Sequence, residues 1–330
     1  MEKNLKKDIA YIIAVLFFIA LCVIRFWDRT LQDTNPLFTF MGNIHIAEIV
    51  TAISYIALVG FIFYLLYRSD AGIKRSMYYL ISLFMILFVP MYLCDNYFGT
   101  GDVYSWIFVL LAVICALEFD VDFLVIILLL AAQAFSPVHN LGGIFAVYII
   151  LLYKAMVAKK KSSTIWFVVG VILYIAGFVA LNVTRHISGT SIHRITGKQL
   201  IVSVLLLSPI IIFVAKHIFD LIRKGRIEEK LFYIAVILAG AFNFVVMTAL
   251  GDYCRAVVIT MMYFVVVCIS LLVMKDNQFL LQFDKAREVI LEKIPVPIAI
   301  IIYIFAIITY WYFAMDEIDP DILIEFNPGA

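Results

Sequence analysis

Residues 103–135 read VYSWIFVLLAVICALEFDVDFLVIILLLAAQAF, and this stretch decides the class of fold. Two apolar runs, Val103–Leu117 and Phe123–Phe135, are interrupted only by a short segment that carries Glu118, Asp120 and Asp122. A helix needs about 20 apolar residues to cross the hydrocarbon core of a bilayer. The two runs are shorter than that, so they predict either a thin membrane hairpin or a pair of helices that dips partway into the bilayer.

The rest of the chain has the same apolar character. Of its 330 residues, 65% are hydrophobic and 15% are charged, whereas soluble domains are about 45–50% apolar and about 25% charged. This leaves too little polar surface to cover a water-soluble globule, so the composition predicts an integral membrane protein. The 25 Lys and Arg nearly balance the 24 Asp and Glu, and this balance argues against a nucleic-acid partner.

Apolar runs near the length of a membrane span recur along the whole chain. They predict an all-α integral membrane fold, a polytopic bundle of about 11 transmembrane helices, which forms a single domain over residues 1–330. The longest loops have about 20 residues, too few for a soluble domain with a core of its own. Two of them are 216–230 and 275–293, and the second alternates apolar and charged residues like a helix that lies on the membrane surface. The runs are Ile9–Phe26, Ala47–Leu66, Met77–Leu93, Val103–Leu117, Phe123–Phe135, Ile144–Val157, Ile165–Val183, Leu200–Ala215, Leu231–Leu250, Val257–Met274 and Pro297–Phe313.

The distribution of Lys and Arg predicts the orientation of the bundle. Cytoplasmic loops of membrane proteins are enriched in these residues, and a cytoplasmic N-terminus places 19 of the 25 on that side. The C-terminus then lies outside, and the chain is expected to be a multi-pass protein of the cell membrane. Six cations oppose the bias and lie on the predicted outer face: Arg25, Arg29, Arg185, Arg194, Lys198 and Arg255.

Three acidic residues of the predicted outer face are candidates for catalysis. Asp28 directly follows the first span, beside Trp27, at a depth where a carboxylate can face a lipid-linked substrate. Asp95 and Asp102 bracket a glycine-containing turn, and Asp95, at a helix end, can serve as a base or as a ligand of a divalent metal ion. A solvated loop and a turn capped by aspartate are the competing explanations, and the need for a metal ion stays open.

Basic residues of the same face are candidates for binding a substrate phosphate. Asp252 and Arg255 are three residues apart on one helix face, which predicts either a local ion pair or an arginine held in place to grip a phosphate. His139 follows a Ser-Pro helix break, where substrate binding competes with a purely structural role. Three further cations lie in the loop 184–199 among Gly, Ser and Thr: Arg185, Arg194 and Lys198. This loop suits phosphate oxygens, and an exposed loop on anionic lipid headgroups is the alternative.

Four short motifs on this face resemble C-type membrane glycosyltransferases and related polysaccharide-assembly membrane proteins. They are RFWDRTLQD at residues 25–33, CDNYFGTGD at 94–102, SPVHNLGG at 136–143 and GDYCR at 251–255. The resemblance implies an enzyme that works on the non-cytoplasmic face. It would take a sugar from a polyprenyl-phosphate-linked donor and transfer the sugar to a glycan or lipid of the cell envelope.

The resemblance also implies roles for individual residues. Asp28 would be the base or a metal-linked acid, and Asp95 or Asp102 a second acid. Arg255 and the 184–199 loop would hold the donor phosphate. The chain departs from the family because its first outer loop has no paired acidic dipeptide, and because it has no large outer domain that could recognise an acceptor.

Other classes of function compete with this one. A polysaccharide polymerase or ligase would use the same lipid on the same face, usually with a longer outer loop. A membrane acyltransferase would show an Arg-rich motif and a His in its early spans. A lipid-linked-sugar flippase or transporter would place ionisable residues near the midplane, where this chain has few polar residues beyond Gln133 and Asn243. A membrane scaffold would tolerate the loss of every outer acid.

Overall fold

The computed structural model describes residues 102–136, 141–185, 210–249 and 253–293, together with separate helical positions between 49 and 68 and at 204 and 207. Only the backbone is described at residues 102–103, 181–185, 253–255, 258 and 287–293. The described part of the chain is helical and contains no strand, which confirms the all-α class. The chain divides into two compact units, Met1–Ala286 and Arg287–Ala330. Every contact given below lies within the first unit, and the single domain stays a prediction.

Eight α-helices lie within the described ranges. They are α1 (Asp102–Ile114), α2 (Asp122–Phe135), α3 (Leu141–Met156), α4 (Lys161–Arg185), α5 (Phe219–Lys224), α6 (Ile227–Ala249), α7 (Tyr253–Val273) and α8 (Asn277–Lys293). A π-helical segment, Cys115–Phe119, continues α1, and a second one, Val214–Ile218, precedes α5. Six of these helices, α1–α4, α6 and α7, follow predicted apolar runs to within about one turn, because each run supplies enough apolar surface to bury a helix.

Helix α3 is the centre of the described array. It buries 12 of its 16 residues and packs against α4, α6 and α7, and less extensively against α1 and α2. A helix that is apolar around its whole circumference is expected to be surrounded by other helices rather than to line a surface. Gly142, near its start, lets α7 approach closely, since a Cβ there would lie 2.5 Å from Ile259 Cγ2.

Two side-chain hydrogen bonds join α1, α2 and α4 to one another. The Ser105 hydroxyl in α1 donates to the Ala132 carbonyl in α2 at 2.8 Å. The buried Gln133 amide in α2 donates to the Tyr174 carbonyl in α4 at 2.8 Å. Gln133, predicted as a mid-span polar residue, therefore ties two helices together, because an amide buried in an apolar array must find a hydrogen-bond partner.

The connections between the helices differ in part from the sequence prediction. Residues 216–230 were expected to form a loop, but helix continues to Lys224 and the chain breaks only at Gly225 and Arg226. The Glu229 carboxylate accepts a hydrogen bond from the Arg226 N–H at 2.8 Å, which satisfies a free donor at the start of α6. The predicted surface helix at 275–293 is present as α8, and its axis bends by 119° from that of the preceding helix.

Two of the described helices, Lys161–Ala180 and Ile227–Ala249, are long and apolar enough to cross a membrane. The bent pair Ile259–Val273 and Asn277–Ala286 makes a third if it counts as one span. The helices Tyr104–Phe119, Asp122–Phe135 and Leu141–Met156 are apolar but shorter. Helix α2 has 14 residues and is therefore about 21 Å long. This length is compatible both with a thin membrane hairpin and with a pair of helices that dips partway into the bilayer. The count of eleven spans and the orientation stay predictions.

Side-chain contacts establish which helix ends lie together. Lys154, near the end of α3, contacts the carbonyl of Ala116 after α1 and the carboxylate of Asp122 at the start of α2. Tyr153 contacts Asp276, which follows α7. Accordingly α1, α3 and α7 end where α2, α4 and α6 begin. We refer to this end of the array as the Lys154 end; the opposite end holds the starts of α1, α3 and α7.

The close approach of α3 to α7 can be tested with Gly142→Ala. The new methyl group would lie 2.5 Å from Ile259 Cγ2 and 3.0 Å from the Ile259 carbonyl oxygen, so the helices must separate. We expect the free energy of unfolding to fall by about 1–3 kcal/mol, seen as a lower melting temperature in detergent. Gly60→Ala is the matched control, because a Cβ there meets nothing within 4 Å; an equal loss at both positions would contradict this packing.

Candidate functional site

The residues that the sequence predicts as a site fall mostly outside the described part of the chain. Asp28, Asp95, His139, Arg194, Lys198 and Asp252 lie in the undescribed ranges. The backbone alone is described for Asp102, Arg185 and Arg255. Asp102 begins α1, Arg185 ends α4 and Arg255 is the third residue of α7. The helix directions therefore place these three backbone positions at one end of the array, opposite the Lys154 end.

The best-defined polar site in the described residues is built around Lys154. Its ammonium contacts three oxygens: the Ala116 carbonyl at 2.6 Å, Asp120 Oδ1 at 2.5 Å and Asp122 Oδ1 at 3.2 Å. The Ala116 carbonyl belongs to the π-helical segment after α1. An ammonium group has three donors, so these three oxygens satisfy all of them.

Asp122 is the buried partner in this cluster. Its side chain is 2% exposed, and its other oxygen accepts hydrogen bonds from the hydroxyls of Ser163 at 2.7 Å and Ser162 at 3.3 Å. Both serines belong to the first turn of α4, where a negative charge is favoured by the helix dipole. One carboxylate thereby links the starts of α2 and α4 to the end of α3.

Asp120 closes the cluster toward solvent. It adopts the left-handed conformation with φ 58°, which Asp tolerates better than most residues, and it pairs with both Lys154 and Lys160. Burial raises the pKa of the Asp120 carboxyl, but hydrogen bonds and charges from Lys154 and Lys160 outweigh burial and hold the pKa below its usual value. Two acids and two lysines give the cluster no net charge.

A second charged pair lies beside this cluster. The Arg68 guanidinium donates two hydrogen bonds to the Glu118 carboxylate, from Nε at 2.7 Å and from Nη2 at 2.6 Å. This forked geometry is the strongest arrangement for an Arg–carboxylate pair. It joins Arg68, one of the separate helical positions between 49 and 68, to the π-helical segment after α1. Each of the three acids that interrupt the quoted sequence stretch is therefore paired with a cation.

The turn between α7 and α8 forms a second polar anchor, centred on Asp276. Its carboxylate accepts hydrogen bonds from the Tyr153 hydroxyl at 2.7 Å, the Tyr233 hydroxyl at 3.3 Å and the Phe279 N–H at 2.7 Å. The last bond caps the start of α8. Lys275 precedes it with φ 54°, in the turn where α7 ends and the chain changes direction into α8.

Two more contacts fasten α8. The Gln278 amide donates to the Glu229 carboxylate at 2.9 Å, and His217 Nδ1 lies 3.3 Å from the side-chain amide oxygen Oε1 of Gln282. Phe279 is fully buried and packs edge-on against Phe213. The first half of α8 therefore places its apolar face on the protein itself.

Away from these anchors, the Asn243 amide in α6 is only partly satisfied by hydrogen bonds. Asn243 is fully buried, and its amide donates to the Thr260 hydroxyl at 2.9 Å, joining α6 to α7. Its carbonyl oxygen has no hydrogen-bond partner among the described residues. Such a group weakens the array locally, because an unmade hydrogen bond inside a protein costs about 1–3 kcal/mol.

The chemistry of the Lys154 and Asp276 anchors is structural. Every acid and cation named in them contacts an opposite charge, a hydroxyl or a backbone group, so none is left free to bind a substrate. The described residues contain no group of three or more His, Cys, Asp or Glu that could hold a metal ion. The sequence predicts Lys154 only as a charge of the cytoplasmic side and does not single out Asp276. A lysine inside the apolar run Ile144–Val157 is the available signal for the first anchor.

Comparison with known proteins gives no match: no protein family, no curated protein and no solved structure is significantly similar to the chain. The resemblance to C-type glycosyltransferases therefore rests on the short motifs of the sequence.

Removal of the Lys154 ammonium tests the anchor. In Lys154→Met, Asp122 would keep its charge in a buried position without its cation, and we expect a loss of about 3–5 kcal/mol in the free energy of unfolding. Adding Asp122→Asn to the same chain should restore part of this loss, because the buried charge is then gone. Melting temperatures in detergent provide the comparison. Lys159→Met, at an exposed lysine of the same loop, should change little.

Proposed function

We propose that the chain is a membrane glycosyltransferase that uses a polyprenyl-phosphate-linked sugar donor on the outer face of the cell membrane. The acceptor is a glycan or lipid of the cell envelope. The observation that carries the proposal is the group of six cations that oppose the orientation bias and share a predicted face with Asp28, Asp95, Asp102 and Asp252. Cations on that face would bind the anionic phosphate of the donor lipid through charge-assisted hydrogen bonds.

The proposed topology has about 11 spans, with the N-terminus in the cytoplasm and the C-terminus outside. Contacts at the Lys154 end support it. The topology assigns four residues from distant segments of the chain to the cytoplasmic side: Arg68, Glu118, Lys154 and Asp276. Arg68 contacts Glu118 directly. Lys154 contacts Asp120, two residues after Glu118, and its neighbour Tyr153 contacts Asp276.

The arrangement of charges at the two ends supports a one-sided activity. At the Lys154 end, Glu118, Asp120, Asp122 and Asp276 are paired with cations or hydroxyl groups. The backbone positions of Asp102, Arg185 and Arg255 stand at the opposite end. Charges that are already neutralised cannot bind a substrate strongly, so the end that carries the unassigned charges is the better place for chemistry.

In the proposed mechanism, Arg255 and the 184–199 loop bind the donor phosphate, with Asp252 orienting Arg255. Asp28 accepts the proton of the acceptor hydroxyl as that oxygen attacks the anomeric carbon of the sugar. The bond between the sugar and the phosphate breaks, and polyprenyl phosphate leaves with its negative charge held by the cations. Asp95 or Asp102 supplies the second acid, and His139 contacts the substrate.

The topology is testable by cysteine labelling. Once the native cysteines are replaced, a cysteine at Ser191 in the 184–199 loop should react with an impermeant thiol reagent in intact cells. A cysteine at Ser69, on the predicted cytoplasmic side, is the control and should react only after lysis. The reverse pattern would place the loop inside the cell and would remove the proposed active face.

The activity is testable with membranes supplied with a radiolabelled polyprenyl-phosphate sugar. Arg255→Ala should weaken use of the donor at least tenfold, since a charge-assisted hydrogen bond contributes about 1.5–3 kcal/mol. Asp28→Asn keeps the shape but removes the base, so turnover should fall by roughly 10²–10⁴-fold with little change in donor binding.

Asp33→Asn is the matched control, because Asp33 lies in the same outer loop beside Thr34-Asn35-Pro36, where a turn explains it. It should transfer sugar at the normal rate. Normal transfer by a folded, inserted Asp28→Asn variant would show that the outer acids are structural. No transfer by the wild type from any polyprenyl-linked sugar would favour a flippase, a polymerase or an acyltransferase.

A further inference from the structure

Four lysines lie close together in sequence where α3 ends and α4 begins: Lys154, Lys159, Lys160 and Lys161. The structure separates them into two classes that the sequence does not distinguish. Lys154 and Lys160 are bound to Asp120 and Asp122. Lys159 and Lys161 are exposed, and neither is paired with a carboxylate among the described residues. Because the four-charge cluster is neutral, these two side chains leave this surface with two surplus positive charges.

An apolar and aromatic surface lies next to these lysines. Phe119, Phe123 and Ile165 are 67%, 49% and 62% exposed, and the ring of Phe123 packs against Trp166 at 6.3 Å. Phe119 ends the π-helical segment after α1, Phe123 lies in the first turn of α2, and Ile165 and Trp166 lie in the second turn of α4. Aromatic residues at helix ends mark the boundary between the hydrocarbon and headgroup layers of a bilayer. The exposed lysines lie just beyond that boundary.

We propose that Lys159 and Lys161 bind the phosphate groups of anionic phospholipids, while Lys154 and Lys160 serve only to hold the helices together. The occupant follows from charge and position: a phospholipid headgroup presents a negative charge at the depth of the two ammonium groups, and its chains extend along Phe119, Phe123 and Ile165. Each lysine near an anionic bilayer surface contributes about fivefold in affinity. This binding is independent of the proposed enzymatic activity.

The test measures binding of single lipids to the full-length chain in detergent by native mass spectrometry, with phosphatidylglycerol and phosphatidylcholine as probes. The test variant is the double substitution Lys159→Gln with Lys161→Gln. Lys159→Arg with Lys161→Arg is the conservative variant. Lys285→Gln is the matched control, because Lys285 is an exposed lysine on α8, away from the α2 and α4 starts.

The double Gln variant should bind phosphatidylglycerol at least tenfold more weakly, with unchanged binding of phosphatidylcholine and an unchanged melting temperature. The double Arg variant and Lys285→Gln should bind phosphatidylglycerol within about threefold of wild type. Unchanged phosphatidylglycerol binding in the double Gln variant would overturn the proposal, as would an equal loss in Lys285→Gln. A lower melting temperature in lipid-free detergent would assign the two lysines a structural role instead, and this would also overturn it.

Discussion

The array of helices depends on the burial of one positive charge, the ammonium of Lys154. An isolated ammonium group in an apolar interior would be too costly to keep charged, so the protein must bring acceptors to it. The acceptors come from the π-helical segment after α1, from the turn before α2 and from the first residue of α2. Since Asp122 also binds two hydroxyls of α4, satisfying this charge determines how four helix ends meet.

Tyr153, the residue before Lys154, anchors the other half of the array. Its hydroxyl donates a hydrogen bond to the Asp276 carboxylate, which also accepts one from the Tyr233 hydroxyl and caps the start of α8. Two consecutive residues of α3 therefore anchor opposite sides, one toward α1, α2 and α4, the other toward α6, α7 and α8. This is consistent with the position of α3 as the most enclosed helix, because only a central helix has neighbours on both sides to bind.

The division of charge between the ends of the array bears on function. The acids and cations of the Lys154 cluster neutralise each other, whereas the backbone positions of Asp102, Arg185 and Arg255 lie at the opposite end of the array. Stability and chemistry would then use different residues on different sides of the membrane. The separation makes the proposed enzyme experimentally accessible, since substitutions in the outer loops leave both polar anchors intact.

The sequence by itself determined the helical class and the bounds of six helices, because apolar runs of sufficient length have few other ways to satisfy their backbone and bury their side chains. It also singled out Gln133 and Asn243 as polar residues inside spans. The candidate site at Asp28, Asp95 and Arg255 remains a prediction from the sequence. Only the tertiary structure decided that Lys154 and Lys160 hold the fold while Lys159 and Lys161 are exposed, because the partners of a charge come from distant segments that local composition does not encode.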